Sequence, residues 1–106
     1  MAAIHLIEKH GTAQGLRVVD RGAHIYDSGF WKVTEETALK LIGGSIYLHT
    51  AWAAPSHFGG TIASFLVVDD PESSVTGRLI FRFDAQLNHK GVKAPPGAAG
   101  EKRIFL

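Results

Sequence analysis

The chain has 106 residues, is 45% hydrophobic and 20% charged, and carries a formal net charge of +1, which describes one ordinary folded domain and excludes a disordered or fibrous chain. At this length folding buries roughly 65% of the surface that the unfolded chain exposes, enough for one core over residues 1–106 and too little for a separate catalytic domain. Cysteine is absent, which excludes disulfides, thiolate metal sites and cysteine nucleophiles and allows a reducing compartment. No apolar run approaches the roughly 20 residues that span a bilayer, and the start MAAIHLIEKH lacks the marks of a signal peptide, so a cytoplasmic place and no membrane partner are expected.

Ile4 and Leu6 alternate around His5 and predict a first strand. Leu16, Val18 and Val19 predict a second, set apart by Gly11 and Gly15. His24-Ile25-Tyr26 and Phe30-Trp31-Lys32-Val33 flank Asp27-Ser28-Gly29, a turn-like composition that predicts an extended segment with a bend. A short helix follows over Glu35 to Ile42. Thr34 is a favoured N-cap, Glu35 and Glu36 put negative charge in the first turn, Lys40 puts positive charge in the last, and Gly43 suits a left-handed C-terminal position. Ala38, Leu41 and Ile42 form its apolar face, with Val33 placed to staple against Ala38. Isolated helices shorter than ~12 residues are marginal in water, so this one must lie on a sheet.

After Gly43-Gly44, the stretch Ser45 to Thr50 predicts a strand with Ile46 and Leu48 facing the core and Tyr47 and His49 facing away. Ala51 to Gly60, with Pro55, Ser56, Gly59 and Gly60, predicts a loop. Thr61 to Val68 reads as a central strand stopped by Asp69-Asp70-Pro71. A polar loop from Glu72 to Gly77 precedes Arg78 to Phe83, with Leu79, Phe81 and Phe83 inward and Arg78 and Arg82 outward. The Pro-, Gly- and Ala-rich Lys90 to Gly100 predicts a surface excursion before a last strand at Arg103 to Leu106. Short strands, one or two short helices and no βαβ rhythm predict an α+β, mainly β domain, its largely antiparallel sheet curled into a small barrel.

Charge is unevenly spread. Residues 1–77 hold five Lys and Arg against eight Asp and Glu, a net −3, while residues 78–106 hold six against two, a net +4. A basic last quarter suits an anionic partner such as nucleic acid, and suits equally a solvated face.

Six histidines, at 5, 10, 24, 49, 57 and 89, show no metal-ligand spacing, and no metal or other cofactor is expected. Ser56-His57 are adjacent on an extended segment, so their side chains diverge, and Ser56 lacks a nucleophile elbow. Gly59-Gly60 opens no phosphate loop. No catalytic residue is therefore assigned. What remains is a concentration of aromatic and polar side chains on either side of the helix: Tyr26, Ser28, Phe30, Trp31 and Lys32 before it, and Tyr47, His49, Thr50, Trp52, Ser56, His57 and Phe58 after it. Aromatic faces sandwich a planar base while hydroxyl, imidazole and backbone groups read its edge. Glycines at 59 and 60 would let a ligand approach the backbone. For the tryptophans the plainer reading is core packing.

The order Ser28-Gly29-Phe30-Trp31-Lys32, a short helix, Gly43-Gly44-Ser45-Ile46-Tyr47-Leu48-His49, a loop with Pro55 and Ser56, and Gly60-Thr61-Ile62-Ala63 entering a long strand resembles the PUA-like superfamily, and within it the EVE and ASCH type domains. The resemblance covers residues 28–84 as a pattern of elements. It departs from the family at Gly43-Gly44-Ser45, where a Gly-Asp is usual, and in lacking both the Trp-rich first strand of EVE domains and the Gly-x-Lys-x-x-Glu-x-Arg stretch of ASCH domains. It implies a barrel and a nucleic acid or nucleotide as ligand, with a modified base one form of it, and transfers no catalytic residue. From position alone, Trp31, Tyr47, His49, Trp52, Ser56 and His57 are expected to line a pocket, with Arg78, Arg82 and Lys90 on phosphates. Two other readings stand beside this one. The first is a small hydrolase of a nucleoside-like substrate with His49 or His57 as base and Lys32 or Tyr47 as electrostatic partner. The second is an interaction module or homodimer built on a sheet edge at Ile104-Phe105-Leu106.

Overall fold

The computed structural model describes residues 2–7, 17–69, 77–97 and 102–106, with the side chain of Phe30 excepted. Among the described residues seven strands form, β1 (Ala3–Ile7), β2 (Arg17–Asp20), β3 (Ile25–Trp31), β4 (Ser45–His49), β5 (Phe58–Val67), β6 (Leu79–Ala85) and β7 (Lys102–Phe105), with one helix, α1 (Glu35–Leu41), and a 3-10 turn at Leu87–His89. The predicted places of Leu16, Gly11, Gly15, His10, Asp70-Pro71, most of the loop from Glu72 and the end of the excursion to Gly100 lie outside the described residues.

All seven strands join one sheet in the order β2-β3-β6-β5-β4-β1-β7. Neighbours run antiparallel apart from β1 and β4, which pair in parallel from Ala3 opposite Ser45 to Ile7 opposite His49. The expected closure into a barrel does not occur. The sheet has two ends, β2 and β7, and β2 is too short and polar to close it: all four of its residues are exposed, so it has no inward apolar set to bury against the far edge.

One face of the sheet carries the core. Ile4 and Leu6 from β1, Ile46 and Leu48 from β4, Ile62 from β5 and Leu79, Phe81 and Phe83 from β6 are buried against Trp31, Val33 and the Ala38 and Leu41 of α1. The alternation read for β4 and β6 is thus the alternation observed. Along β5 it is broken: Ile62 pairs with Phe83 but Ser64 with Arg82, so one extra residue, Ala63, shifts the inward set from Ile62 to Phe65 and Val67. A bulge of this kind flips the side chains that follow it to the other face. The predicted bend at Asp27-Ser28-Gly29 is a second bulge, where Asp27 pairs with Arg82 and Phe30 with Ile80.

The helix begins as expected, with the Thr34 hydroxyl accepting from the Thr37 amide at 3.2 Å. It ends one residue early. Ile42 leaves the helix in an extended conformation and is 43% exposed, so it does not share the buried face of Ala38 and Leu41. Gly43, at φ 84°, reverses the chain and donates its amide to Ile62 of β5 at 2.8 Å, as a left-handed glycine after a helix does.

Candidate functional site

The sheet separates the residues expected to share a pocket. Trp31 is in the core, 6% exposed, and its indole N–H donates to Ser28 Oγ at 3.1 Å. The same hydroxyl oxygen accepts from the Phe81 amide at 3.2 Å. Trp52 lies on the opposite face, half-buried, beside outward-facing His49 with ring centres 5.8 Å apart and under the Arg103 guanidinium at 4.3 Å. The two indoles therefore form no common wall. Trp31 follows the plainer reading, since a large aromatic at the end of β3 is the piece that fills the core beneath α1.

Tyr47, His49 and Ser56 do come together, on the outer face, in an arrangement filled by its own rings. Tyr47 is stacked by His5 on one side, 4.5 Å between centres and 16° between planes, and by His89 on the other, 4.9 Å and 23°. With both faces covered, it has none left for a base. Gly59, opposite Tyr47 on β5, makes this stack possible, because a Cβ there would run into the Ile46 carbonyl and the His89 side chain. At Gly60 it would meet the Asp84 carbonyl. Both glycines thus serve strand packing, and the backbone approach expected of a ligand is made by the neighbouring strands.

Hydrogen bonds set the histidine tautomers. His49 Nδ1 faces the Ala54 carbonyl at 3.0 Å, an acceptor, so it carries the proton. Its Nε2 then accepts from His5 Nδ1 at 2.8 Å. His49 is fully buried with both ring nitrogens engaged, which leaves no lone pair for a substrate and removes it as the base of a hydrolase. Burial and the neighbouring His49 and Arg103 charges push the His5 pKa down to about 4. His49 and His89 are likewise lowered, burial being the largest cause for each.

Ser56, 4% exposed, donates to the His89 carbonyl at 2.6 Å and accepts from the Val92 amide at 3.0 Å. It is a clip between two loops. His57 is half-buried next to it, its amide bonded to the Leu48 carbonyl at 2.8 Å.

The three cations expected on phosphates are also dispersed. Arg82 makes a two-pronged contact with Asp27, at 2.9 Å and 3.2 Å, and Arg17 reaches the same carboxylate at 3.2 Å. Burial works to raise the Asp27 pKa, but hydrogen bonds and positive charge from Arg82 and Arg17 outweigh it and hold the carboxyl below its ordinary value. Arg78 precedes β6 at the strand's far end from Ala85. Arg82 borders, with Asp27, Ser64 and Ile80, a hollow of about 150 Å³, whereas Lys90 stands at a separate cavity, its ammonium 5.5 Å over the ring of Phe58.

That cavity, of about 340 Å³ and open to solvent, is walled by His24, Tyr26, Phe58, Gln86, Leu87 and Lys90 among others. It lies where β3 and β5 begin and β6 ends. Tyr26 and Phe58 meet edge to face at 4.8 Å and 76°, and both pack on buried Phe83, with ring centres 6.1 Å and 5.9 Å away. Gln86 is steadied by Thr61, whose hydroxyl donates to its amide oxygen at 3.2 Å. Leu87 on the rim is 82% exposed. The sequence marks Tyr26 and Phe58 as part of an aromatic concentration but does not distinguish them from Tyr47 or Trp52. His24, Gln86 and Leu87 carry no local signal, because only the pairing of β3 with β6 brings them to one place.

Among the described residues no group of three or more His, Asp or Glu converges on a metal position, and no helix is long and apolar enough to cross a membrane. Compared with models of protein families, with curated proteins and with solved structures, the chain matches none.

Proposed function

We propose that this chain is a binding module for nucleic acid or nucleotide that receives one unstacked base, plain or modified, in the cavity that Tyr26 and Phe58 line together. The observation that carries the reading is the cavity itself: about 340 Å³, in the range of small-molecule sites, with aromatic walls and a few polar groups at the rim. A base laid against Phe58 gains stacking by taking the place of the Lys90 ammonium over that ring, the Gln86 amide is placed to read its edge, and the displaced Lys90 supplies positive charge next to the base. The PUA-like resemblance of residues 28–84 and a cytoplasmic setting belong to the same proposal.

The test is fluorescence anisotropy of labelled single-stranded oligonucleotides, with plain and modified bases, against the wild-type chain and Phe58→Ala. Binding at low salt that weakens with Phe58→Ala by about 1–3 kcal/mol, the worth of one base-aromatic stack, supports the reading. Absence of binding to any oligonucleotide at low salt overturns it. A second reading, self-association, is favoured by one observation: β7 is an end strand of the sheet, and Leu106 beyond it is 65% exposed. An unpaired strand edge is a template for another strand. Sedimentation at several concentrations, with and without residues 103–106, decides it, and an unchanged monomer mass removes it.

A further inference from the structure

We propose that the cavity recognises a single phosphate-bearing nucleotide unit and that His24 is, with Lys90, the residue that receives its phosphate; this rests on the base-binding reading above and adds a residue and a ligand class to it. The observation is a backbone one. The turn from β2 to β3 closes with Ala23 N–H on Asp20 Oδ1 at 3.1 Å and His24 N–H on the Arg21 carbonyl at 3.3 Å, and His24 itself stands at φ 60°. Among the described residues it is the one position other than glycine with positive φ. A left-handed residue at the end of a hairpin turn is the place where glycine or asparagine costs least. The chain puts its glycine two residues earlier, at Gly22, and a histidine here.

Among the described residues the His24 imidazole makes no hydrogen bond or ion pair. His24 is exposed, and its turn is held by backbone groups: its N–H to Arg21 and its carbonyl, which accepts from the Ala85 amide at 2.9 Å. What the side chain does is line the cavity together with Lys90. Strain kept at a ligand-facing position is a mark of a binding role. Two nitrogen donors at the rim of a pocket with an aromatic floor suit an anion attached to a planar ring, the chemistry of a nucleoside monophosphate. Of the other two cations expected on phosphates, Arg82 is held by Asp27 and Arg78 precedes the opposite end of β6, so neither joins His24 and Lys90 at this cavity.

The experiment is calorimetric titration with adenosine and uridine 5′-monophosphates, with the corresponding nucleosides and with inorganic phosphate, on the wild-type chain, His24→Gly, His24→Asn and Phe58→Ala. Both His24 variants accept the left-handed backbone, so melting temperatures equal to or above wild type are expected. The wild-type chain is expected to bind the monophosphates at least about tenfold more tightly than the nucleosides, the scale of one charge-assisted hydrogen bond. Both His24 variants should lose most of that preference, whereas Phe58→Ala should weaken monophosphate and nucleoside alike. Monophosphates that bind no better than nucleosides, or a preference that survives in both His24 variants, overturn the proposal. If oligonucleotides still bind in a Phe58-dependent way, base binding stands and only the phosphate assignment falls. If neither oligonucleotides nor any of these small ligands bind, both fall together.

Discussion

Ser28 shows how a single side chain on a bulge can hold a core together. Its hydroxyl accepts from two buried donors, the Trp31 indole at 3.1 Å and the Phe81 amide at 3.2 Å. Ser28→Ala is expected to cost about 2–6 kcal/mol, since each of the two orphaned buried donors costs about 1–3 kcal/mol, and urea unfolding measures it; a loss within about 0.5 kcal/mol, the size of an ordinary surface change, would mean that these donors find other partners. The sequence places Ser28 next to a turn-like glycine, which is correct, but nothing local says that a residue 53 positions away donates to it. Tyr47 illustrates the same limit from the other side. Its outward direction follows from strand alternation, yet whether an outward tyrosine meets a ligand or two histidines depends on which strands lie beside it. The pairing of His5 with Tyr47 and the approach of His89 across Gly59 decide the matter.

At the scale of elements, α1 is the part most fully written in its own residues. Its cap, its charge placement and its terminal glycine are all local signals, and each acts through the few backbone groups that a helix leaves unbonded. Thr34→Ala is expected to destabilise by about 1 kcal/mol, with the helix of Thr34→Asp retained, both read by thermal or urea unfolding. The strands are legible in kind and less so in extent. β5 starts at Phe58, inside the predicted loop, because Gly59 and Gly60 pair with β4 and β6 at positions where the neighbouring backbones come too close for a side chain. Gly59→Ala is therefore expected to be strongly destabilising, by more than the roughly 1 kcal/mol of an ordinary substitution, while Gly91→Ala, which meets no neighbouring atom but stands at φ 77°, should cost about 1–2 kcal/mol through backbone strain alone. A Gly59→Ala variant as stable as wild type would show that β4 and β5 can separate without loss.

For the molecule as a whole, titration should report the buried histidines before the carboxylate. His5 has its pKa lowered from 6.5 to about 4, so the folded state binds fewer protons than the unfolded chain between those values. Stability from this group is whole above pH 6.5 and falls as the pH drops toward 4. His49 and His89 are lowered too and act in the same direction. Asp27 is held below its ordinary value of 3.8, so its contribution is present above that value and is lost as the pH falls further, through the folded pKa. The urea midpoint is expected to decline from pH 6.5 to 4 and again below 3.8. In His5→Phe the first decline should be shallower. A midpoint unchanged from pH 7 to 4.5 would contradict the neutral, interlocked histidines described here.

What the residues determine by themselves is local: a mainly β chain, a capped short helix after an extended segment, the inward rows Ile46-Leu48 and Leu79-Phe81-Phe83, and the absence of thiol chemistry. These follow from side-chain periodicity and from backbone groups satisfied within a few residues. The open order of the sheet, the parallel pairing of β1 with β4 and the two bulges belong to the tertiary structure. So does the division of the aromatic residues into a core tryptophan, an outer ring stack and the walls of a solvent-open cavity. Pairing partners lie tens of residues apart along the chain, and a one-residue shift exchanges the two faces of a strand. Local alternation therefore tells which side chains share a face, and only the assembled sheet tells what that face meets.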